Sequence, residues 1–162
     1  MSLKNCTPVL FCKDAKKSKD FYVNVLGLKV VGDFGGLNFI FEEGFAIWQI
    51  MEGHIILEKL GAENIFDSKN TSKTELCFEL EADIVEVFNK LKESNVRFLH
   101  EINEELWGQR TVRFYDLDGH LIEIGESFPV FLKRVYEEEG TVEATARRTY
   151  MEEDMVKKIL GI

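Results

Sequence analysis

Residues 114–126 read FYDLDGHLIEIGE, and they decide how the second half of the chain folds. The segment is typical of a strand that ends near Asp116, an Asp118-Gly119 turn, and a second strand that carries Glu123 between two isoleucines. Side chains alternate between the two faces of a strand, so Glu123 faces away from its isoleucine neighbours. The side that Glu123 faces holds water, a metal ion or a substrate.

The order of predicted elements occurs twice along the chain. Hydrophobic periodicity and turn residues predict a strand, a helix and three further strands in about residues 5–52, and the same order again in about residues 74–126. The chain therefore has an α+β fold class, built from two βαβββ modules within a domain of residues 1–126. Residues 54–73 are polar, include a Ser/Asn/Thr cluster at 68–73, and form the predicted connection.

Residues 127–162 change to helical periodicity and predict an appended pair of helices. This C-terminal tail resembles a helix-turn-helix in outline, but it holds six basic and seven acidic side chains. Helices that read a DNA groove need a basic footprint, and the whole chain has a net charge of -9. We expect no nucleic-acid partner, and a tail that packs on the sheet or on a second subunit.

The chain has neither a long apolar segment nor a signal peptide, which predicts a cytoplasmic protein without a membrane partner. The three cysteines, Cys6, Cys12 and Cys77, are odd in number and form no Cys-x-x-Cys pair. We expect them to be free, buried thiols.

The duplicated modules, together with DAKKSKDFYVNVLGLKV at residues 14–30 and FYDLDGHLIEIGE, resemble the vicinal oxygen chelate superfamily. This superfamily includes glyoxalases, bleomycin-resistance proteins, fosfomycin-resistance transferases and extradiol dioxygenases. The resemblance covers about residues 5–126 and implies a curved, barrel-like mixed sheet around a cavity, a small-molecule ligand and a homodimer. It does not choose among the activities of the superfamily.

Metal ligands in this superfamily come from the starts of the first strands of both modules and from the last strand. The resemblance places these positions at Thr7, Glu75 and Glu123, and it implies that Glu123 is also catalytic. Two carboxylates in one cavity repel each other unless a cation or a proton lies between them, so the pair favours a divalent metal. Oxygen ligands favour Mn²⁺ or Mg²⁺, and Ni²⁺ and Zn²⁺ are the other candidates. Because a hydroxyl is a poor ligand at Thr7, a metal-free pocket is equally plausible.

A further inward position in some glyoxalases comes from the strand at residues 45–51. The sequence does not fix the phase of this strand, so either Trp48 or Gln49 faces the cavity and contacts the substrate. None of His54, His100 and His120 falls on a ligand position, and all three are expected to be surface or turn histidines.

Alternation along QRTVRFYD at residues 109–116 places Thr111 and Arg113 on one face. An inward Arg113 can bind a carboxylate or phosphate, or it can neutralise Glu75 or Glu123. Trp107 lies beside a turn glycine. It either forms the rim of the substrate site or is an aromatic residue on the surface. These residues, with Trp48 or Gln49, form the expected substrate-binding set.

Two functions follow as hypotheses. The first is a metal-dependent lyase or isomerase of the glyoxalase type, acting on vicinal oxygens, with Glu123 or Glu75 transferring a proton. The second is a metal-free protein that binds a small aromatic or cationic molecule, as antibiotic-binding members do. Dioxygenase chemistry is disfavoured, because the two-histidine, one-carboxylate set of iron(II) is absent.

Overall fold

The computed structural model describes residues 7–66 and 74–162, and these residues form two units. The first unit contains the described residues up to Glu75 together with Tyr115–Leu121, and the second contains Leu76–Phe114 and Ile122–Ile162. The predicted Ser/Asn/Thr cluster at 68–73 and Cys6 lie outside the described residues.

The first unit contains a four-stranded mixed sheet in the order β1-β4-β3-β2. Strand β1 pairs with β4 in parallel, and the β2–β3 and β3–β4 pairs are antiparallel. The predicted polar connection begins with two short helices. The elements are β1 (Val9–Phe11), α1 (Ala15–Asn24), β2 (Val30–Phe34), β3 (Asn38–Phe41), β4 (Ala46–Trp48), α2 (Ile55–Leu60) and α3 (Ala62–Ile65).

Helix α1 is capped at its N-terminus by Asp14, whose side chain accepts a hydrogen bond from the Lys17 backbone N–H at 3.1 Å. This cap satisfies a backbone donor that the first turn of a helix leaves unpaired. From this helix Tyr22 is fully buried, and its ring lies 5.3 Å from the rings of both Phe41 and Phe45. Aromatic packing therefore joins α1 to the sheet.

The second unit repeats the strand order as β5-β8-β7-β6. This repetition confirms the α+β class and the two βαβββ modules that the sequence predicts. The elements are β5 (Glu75–Leu80), α4 (Ile84–Glu93), β6 (Arg97–Glu104), β7 (Arg110–Tyr115) and β8 (Leu121–Glu126).

The core of the second module lies between this sheet and α4. Val112, Phe114 and Ile122 are fully buried, and the Phe98 ring lies 5.2 Å from the ring of Phe88 on α4 and 6.3 Å from that of Phe114. Residues 112, 114 and 122 occupy alternate positions on their strands, so one face of β7 and β8 is committed to the core.

The C-terminal tail is three helices, so the prediction of a helical pair was wrong in number. They are α5 (Phe128–Glu139), α6 (Val142–Thr149) and α7 (Glu153–Leu160). Tyr150 adopts a left-handed conformation at φ 56° and ends α6, which splits what the sequence pattern presented as one helix. The three helices share a buried core of Phe131, Leu132, Val135, Ala146 and Val156.

A buried ion pair attaches this tail to the sheet of the second unit. Glu126, at the end of β8, is only 4% exposed, and its Oε2 accepts hydrogen bonds from Arg134 Nη2 at 2.7 Å and from the Arg110 backbone N–H at 3.0 Å. The same Arg134 nitrogen donates to the Gly108 carbonyl at 2.6 Å. One guanidinium on α5 therefore contacts both the end of β8 and the turn before β7.

The Asp116-Leu117-Asp118-Gly119 turn is held to α1 in the first unit. Asp116 Oδ2 accepts a hydrogen bond from Tyr22 Oη at 2.7 Å, and it lies 2.8 Å from His120 Nδ1, with which it forms a hydrogen-bonded pair. Asp118 Oδ2 accepts from Ser18 Oγ at 2.7 Å. The motif that supports the family resemblance therefore has a structural role, and His120 is a partly buried member of this cluster rather than a plain surface histidine.

Among residues 7–66 and 74–162, no helix combines the length and the apolar character that a membrane span requires.

Replacing Glu126 with Gln should destabilise the protein, because Arg134 would lose its buried carboxylate partner. We expect a loss of about 3 kcal/mol in the free energy of unfolding, measured by chemical denaturation. Glu143→Gln is the matched control, since Glu143 pairs with Arg147 at 3.8 Å with both side chains more than 70% exposed. The control should cost less than about 0.5 kcal/mol. Equal losses in the two variants would contradict the role of the buried pair.

The pKa of His120 should lie above its ordinary value. Burial of the imidazole lowers this pKa, but the hydrogen bond and charge of Asp116 outweigh burial and raise it. The resulting stabilisation is complete below the unfolded-state pKa of about 6.5 and disappears as the pH rises through the higher folded-state pKa. An NMR titration of the His120 ring should show a raised midpoint that Asp116→Asn lowers. An ordinary midpoint that does not respond to Asp116→Asn would contradict this.

Candidate functional site

The candidate site lies on the face of the second sheet that is opposite its core. Strand alternation brings the side chains of Thr111 and Arg113 on β7 to the same face as Glu123 on β8, and Val112 and Phe114 point the other way into the core. Strand β5 lies on the other side of β8 and adds Cys77. We call this surface the acidic face, and it consists of Glu75, Cys77, Glu105, Thr111, Arg113 and Glu123.

Arg113 is bound by carboxylates on both sides. Its Nη1 donates to Glu105 Oε1 at 2.7 Å, and its Nη2 forms an ion pair with Glu123 Oε2. Glu105 Oε1 also accepts a hydrogen bond from Thr111 Oγ1 at 3.0 Å. The three charged side chains are between 13% and 20% exposed, so solvent screens the pairs only partly.

The charge of Glu105 is stabilised by this network. Burial raises the pKa of its carboxyl group, but hydrogen bonds from Arg113 and Thr111 outweigh burial and hold the pKa below its ordinary value. His100 also reaches the network, because its Nε2 lies 3.3 Å from Arg113 Nη1. Arg113 is thus fixed in orientation by several partners.

Gly125 leaves space for the Gln109 side chain beside this network. A Cβ atom at Gly125 would lie 3.0 Å from Gln109 Nε2 and 3.4 Å from Thr111 Cγ2. Gln109 uses that space to donate to the Glu126 carbonyl at 2.7 Å. Trp107 donates from Nε1 to Gln109 Oε1 at 3.0 Å, and its ring is exposed on the β6–β7 turn. Trp107 therefore contacts Gln109 on the turn, and Gln109 lies near Thr111 beside Gly125.

Three side chains of the acidic face could hold a metal ion. Glu75, Cys77 and Glu123 each offer a ligand atom, and these three atoms lie within 4.8 Å of one another. Glu75 and Cys77 are two positions apart on β5 and therefore share a face. Glu75 is the last residue of the first unit, and the strand continues through it into the second. Thr7, the third position that the resemblance implies, is exposed and lies before β1.

The thiol of Cys77 is exposed, so the prediction that it is buried was wrong. The apolar neighbours Leu76 and Phe78 suggested a core position, but they occupy the alternate positions of β5 and are the half-buried ones. Cys12, in contrast, is buried as predicted, and burial and the nearby Asp118 raise the pKa of its thiol to about 12.

The structure resolves the phase of the strand at residues 45–51. Trp48 is the last residue of β4 and stands opposite Phe11 and Asn38, on the face away from the buried Ile47. Its ring lies 6.1 Å from that of Phe11 and 5.1 Å from that of His54. Trp48 therefore contributes to an aromatic surface on the first sheet.

Gln49 has a local structural role. It follows β4, and its Oε1 accepts a hydrogen bond from the Ala15 backbone N–H at 2.9 Å, at the start of α1. This bond satisfies a donor of the first helical turn, so Gln49 holds the end of β4 to the helix.

Sequence reasoning missed Cys77 and Glu105. Alternation of side chains along β5 places residues 75 and 77 on the same face of the strand, and this signal could have located Cys77 beside Glu75. The apolar neighbours of Cys77 instead suggested a core position. Glu105 lies in the turn after β6, where no periodic pattern predicts the direction of a side chain. Only its contacts with Thr111 and Arg113 reveal its part in the acidic face.

Comparison with known proteins gives one family. The model of the glyoxalase-like domain matches residues 5–129, which is most of the chain. No curated protein matches the sequence. A protein of unknown function from Agrobacterium tumefaciens strain C58 is 34% identical, and the match covers 79% of this chain and 97% of that protein with a TM-score of 0.62.

Two more distant structures share the fold. Lactoylglutathione lyase from Agrobacterium tumefaciens is 16% identical over 78% of this chain and 96% of its own, with a TM-score of 0.53. The genomically encoded fosfomycin resistance protein FosX from Listeria monocytogenes is 17% identical over 90% of this chain and 99% of its own, with a TM-score of 0.55. The match of the family model over residues 5–129 shows that the chain belongs to the glyoxalase-like domain family.

Proposed function

We infer that the acidic face binds a divalent metal ion and a small molecule, and that the protein is a lyase or isomerase acting on a substrate with vicinal oxygens. The observation that carries this proposal is the convergence of Glu75 and Glu123, the two predicted ligands, with a third donor inside 4.8 Å. Membership of the glyoxalase-like domain family is compatible with this reaction class without selecting it, and the described residues supply the donors.

The donors fit a divalent ion. Three protein ligands and one open position are the usual composition of a catalytic zinc site, and carboxylate oxygens bind zinc at about 2.0 to 2.2 Å. Two of the three donors are the carboxylates of Glu75 and Glu123, and a divalent cation between them would offset their mutual repulsion. When bound, the ion would act as a Lewis acid that polarises the substrate oxygens.

The chain's own residues would divide the remaining work. Glu123 is the candidate for proton transfer, because it is largely buried and held in place by Arg113, whereas Glu75 is exposed at the start of β5. Glu105 and Thr111 fix Arg113, and Arg113 in turn orients the Glu123 carboxylate. A ligating carboxylate is commonly hydrogen-bonded in this way by a second residue, which restricts its rotation.

A second candidate function rests on the same ion pair. Because Arg113 bridges Glu105 and Glu123, it already supplies a positive charge between two carboxylates. The acidic face would then operate without a metal and bind a cationic small molecule through its carboxylates. Arg113 would then neutralise the charge of Glu123 instead of binding a ligand, and the sequence leaves this alternative open.

Metal analysis separates the two functions. Protein incubated with Mn²⁺, Ni²⁺ or Zn²⁺ and then desalted should retain about one ion per chain. Glu75→Gln and Glu123→Gln should each lower the affinity roughly tenfold or more, because each removes a charged ligand. Glu79→Gln is the matched control, since Glu79 is exposed on the same face of β5 but lies outside the donor group.

A protein that stays metal-free with all three ions would overturn the metal-dependent proposal. In that case, binding of an aromatic cation by the metal-free protein, weakened by Glu123→Gln, would support the second candidate. If the metal is retained, conversion of a hemithioacetal by the loaded protein tests the lyase reaction directly.

A further inference from the structure

Cys77 is the one member of the donor group that does not fall on a family ligand position. Its thiol is exposed on β5, two residues after Glu75 and beside Glu123 of the neighbouring strand. The family resemblance instead places a third ligand at Thr7, whose hydroxyl is a poor donor. The chain therefore lacks a good donor at one expected position and has an unexpected one on β5.

We propose that Cys77 is a metal ligand and that it makes the site selective for thiophilic ions, above all Zn²⁺, over Mg²⁺ and Mn²⁺. This inference rests on the proposed metal site. Thiolate ligands favour zinc, whereas magnesium and manganese prefer a shell of oxygen atoms. The expectation from sequence that oxygen ligands alone would select Mn²⁺ or Mg²⁺ thus changes once Cys77 joins Glu75 and Glu123.

The distances allow this coordination after small side-chain movements. Zinc binds thiolate sulfur at about 2.3 Å and carboxylate oxygen at about 2.0 to 2.2 Å, so ligand atoms of one tetrahedral ion lie roughly 3 to 4 Å apart. The three donor atoms here lie within 4.8 Å of one another. Glu75 and Cys77 are both exposed, so their side chains can rotate without displacing the core.

Coordination would change the chemistry of the thiol. The thiolate is the form that binds a metal, so the S–H bond breaks, its proton goes to the buffer, and a sulfur–metal bond forms. A thiol engaged in this way reacts slowly with alkylating reagents. Cys12 provides an internal reference, because it is buried and its pKa is raised to about 12, which leaves little thiolate with or without metal.

The experiment is a titration of the full chain with Co²⁺, a spectroscopic substitute for zinc. We expect a sulfur-to-cobalt charge-transfer band in the near ultraviolet, which Cys77→Ser abolishes and the thiol-removing control Cys12→Ala, outside the donor group, retains. Zn²⁺ should compete with the bound Co²⁺ far better than Mg²⁺ does. In parallel, Zn²⁺ should slow the alkylation of Cys77 at least tenfold, as measured by peptide mass spectrometry, and leave Cys12 unmodified throughout.

The outcomes distinguish this inference from the metal site itself. Two results would overturn the role of Cys77 and leave the carboxylate site intact. In the first, cobalt binds stoichiometrically and shows visible ligand-field bands but no charge-transfer band. In the second, the charge-transfer band survives in Cys77→Ser. Absence of any stoichiometric cobalt or zinc would overturn both. Cobalt bound through sulfur, with loss of the band only in Cys77→Ser, supports the proposal.

Discussion

The alternation of side chains on β7 and β8 is the constraint on which the acidic face depends. Val112, Phe114 and Ile122 are fully buried, and the aromatic contacts through Phe98 join this face of the sheet to α4. A shift of one residue would expose these side chains and bury charged neighbours, so the register is fixed by the core. The positions of Arg113 and Glu123 on the opposite face follow directly from this register.

Once the register is fixed, charge determines the details of the face. Removing Glu105 and Glu123 largely from water is unfavourable unless each carboxylate has a partner, and Arg113 supplies one to both. The guanidinium has donors enough for two carboxylates, which a lysine could not orient in the same way. The resulting network holds Glu123 in a defined position next to Cys77 and Glu75, and this order is what a metal ligand or a proton-transfer group requires.

A similar carboxylate–guanidinium pair joins the helical tail to the same strand. Glu126 is three residues after Glu123, so it points to the opposite side of β8, where Arg134 of α5 meets it. The strand thus uses one carboxylate for the acidic face and another for attachment of the tail. Arg134 therefore links α5 to β8 three residues after the candidate ligand Glu123.

Much of this architecture follows from local patterns in the sequence. The duplicated modules are predictable because apolar spacing and turn glycines act over a few residues, and the common face of Thr111 and Arg113 follows from alternation. The exposure of Cys77 was not predicted, because its apolar neighbours resembled a core run. The third tail helix depends on a left-handed Tyr150, and the hydrogen bond from Tyr22 to Asp116 joins residues 94 positions apart. Local periodicity contains no information on either feature.

The central claim is that Glu75 and Glu123 hold a divalent metal on the acidic face. Anomalous X-ray scattering from crystals grown with Zn²⁺, recorded on both sides of the zinc absorption edge, tests it most directly. The account predicts an anomalous peak within bonding distance of carboxylate oxygens of both residues, with Arg113 still paired to Glu105. A peak located only at other residues, or a face where Arg113 alone bridges the carboxylates at saturating zinc, would contradict the claim.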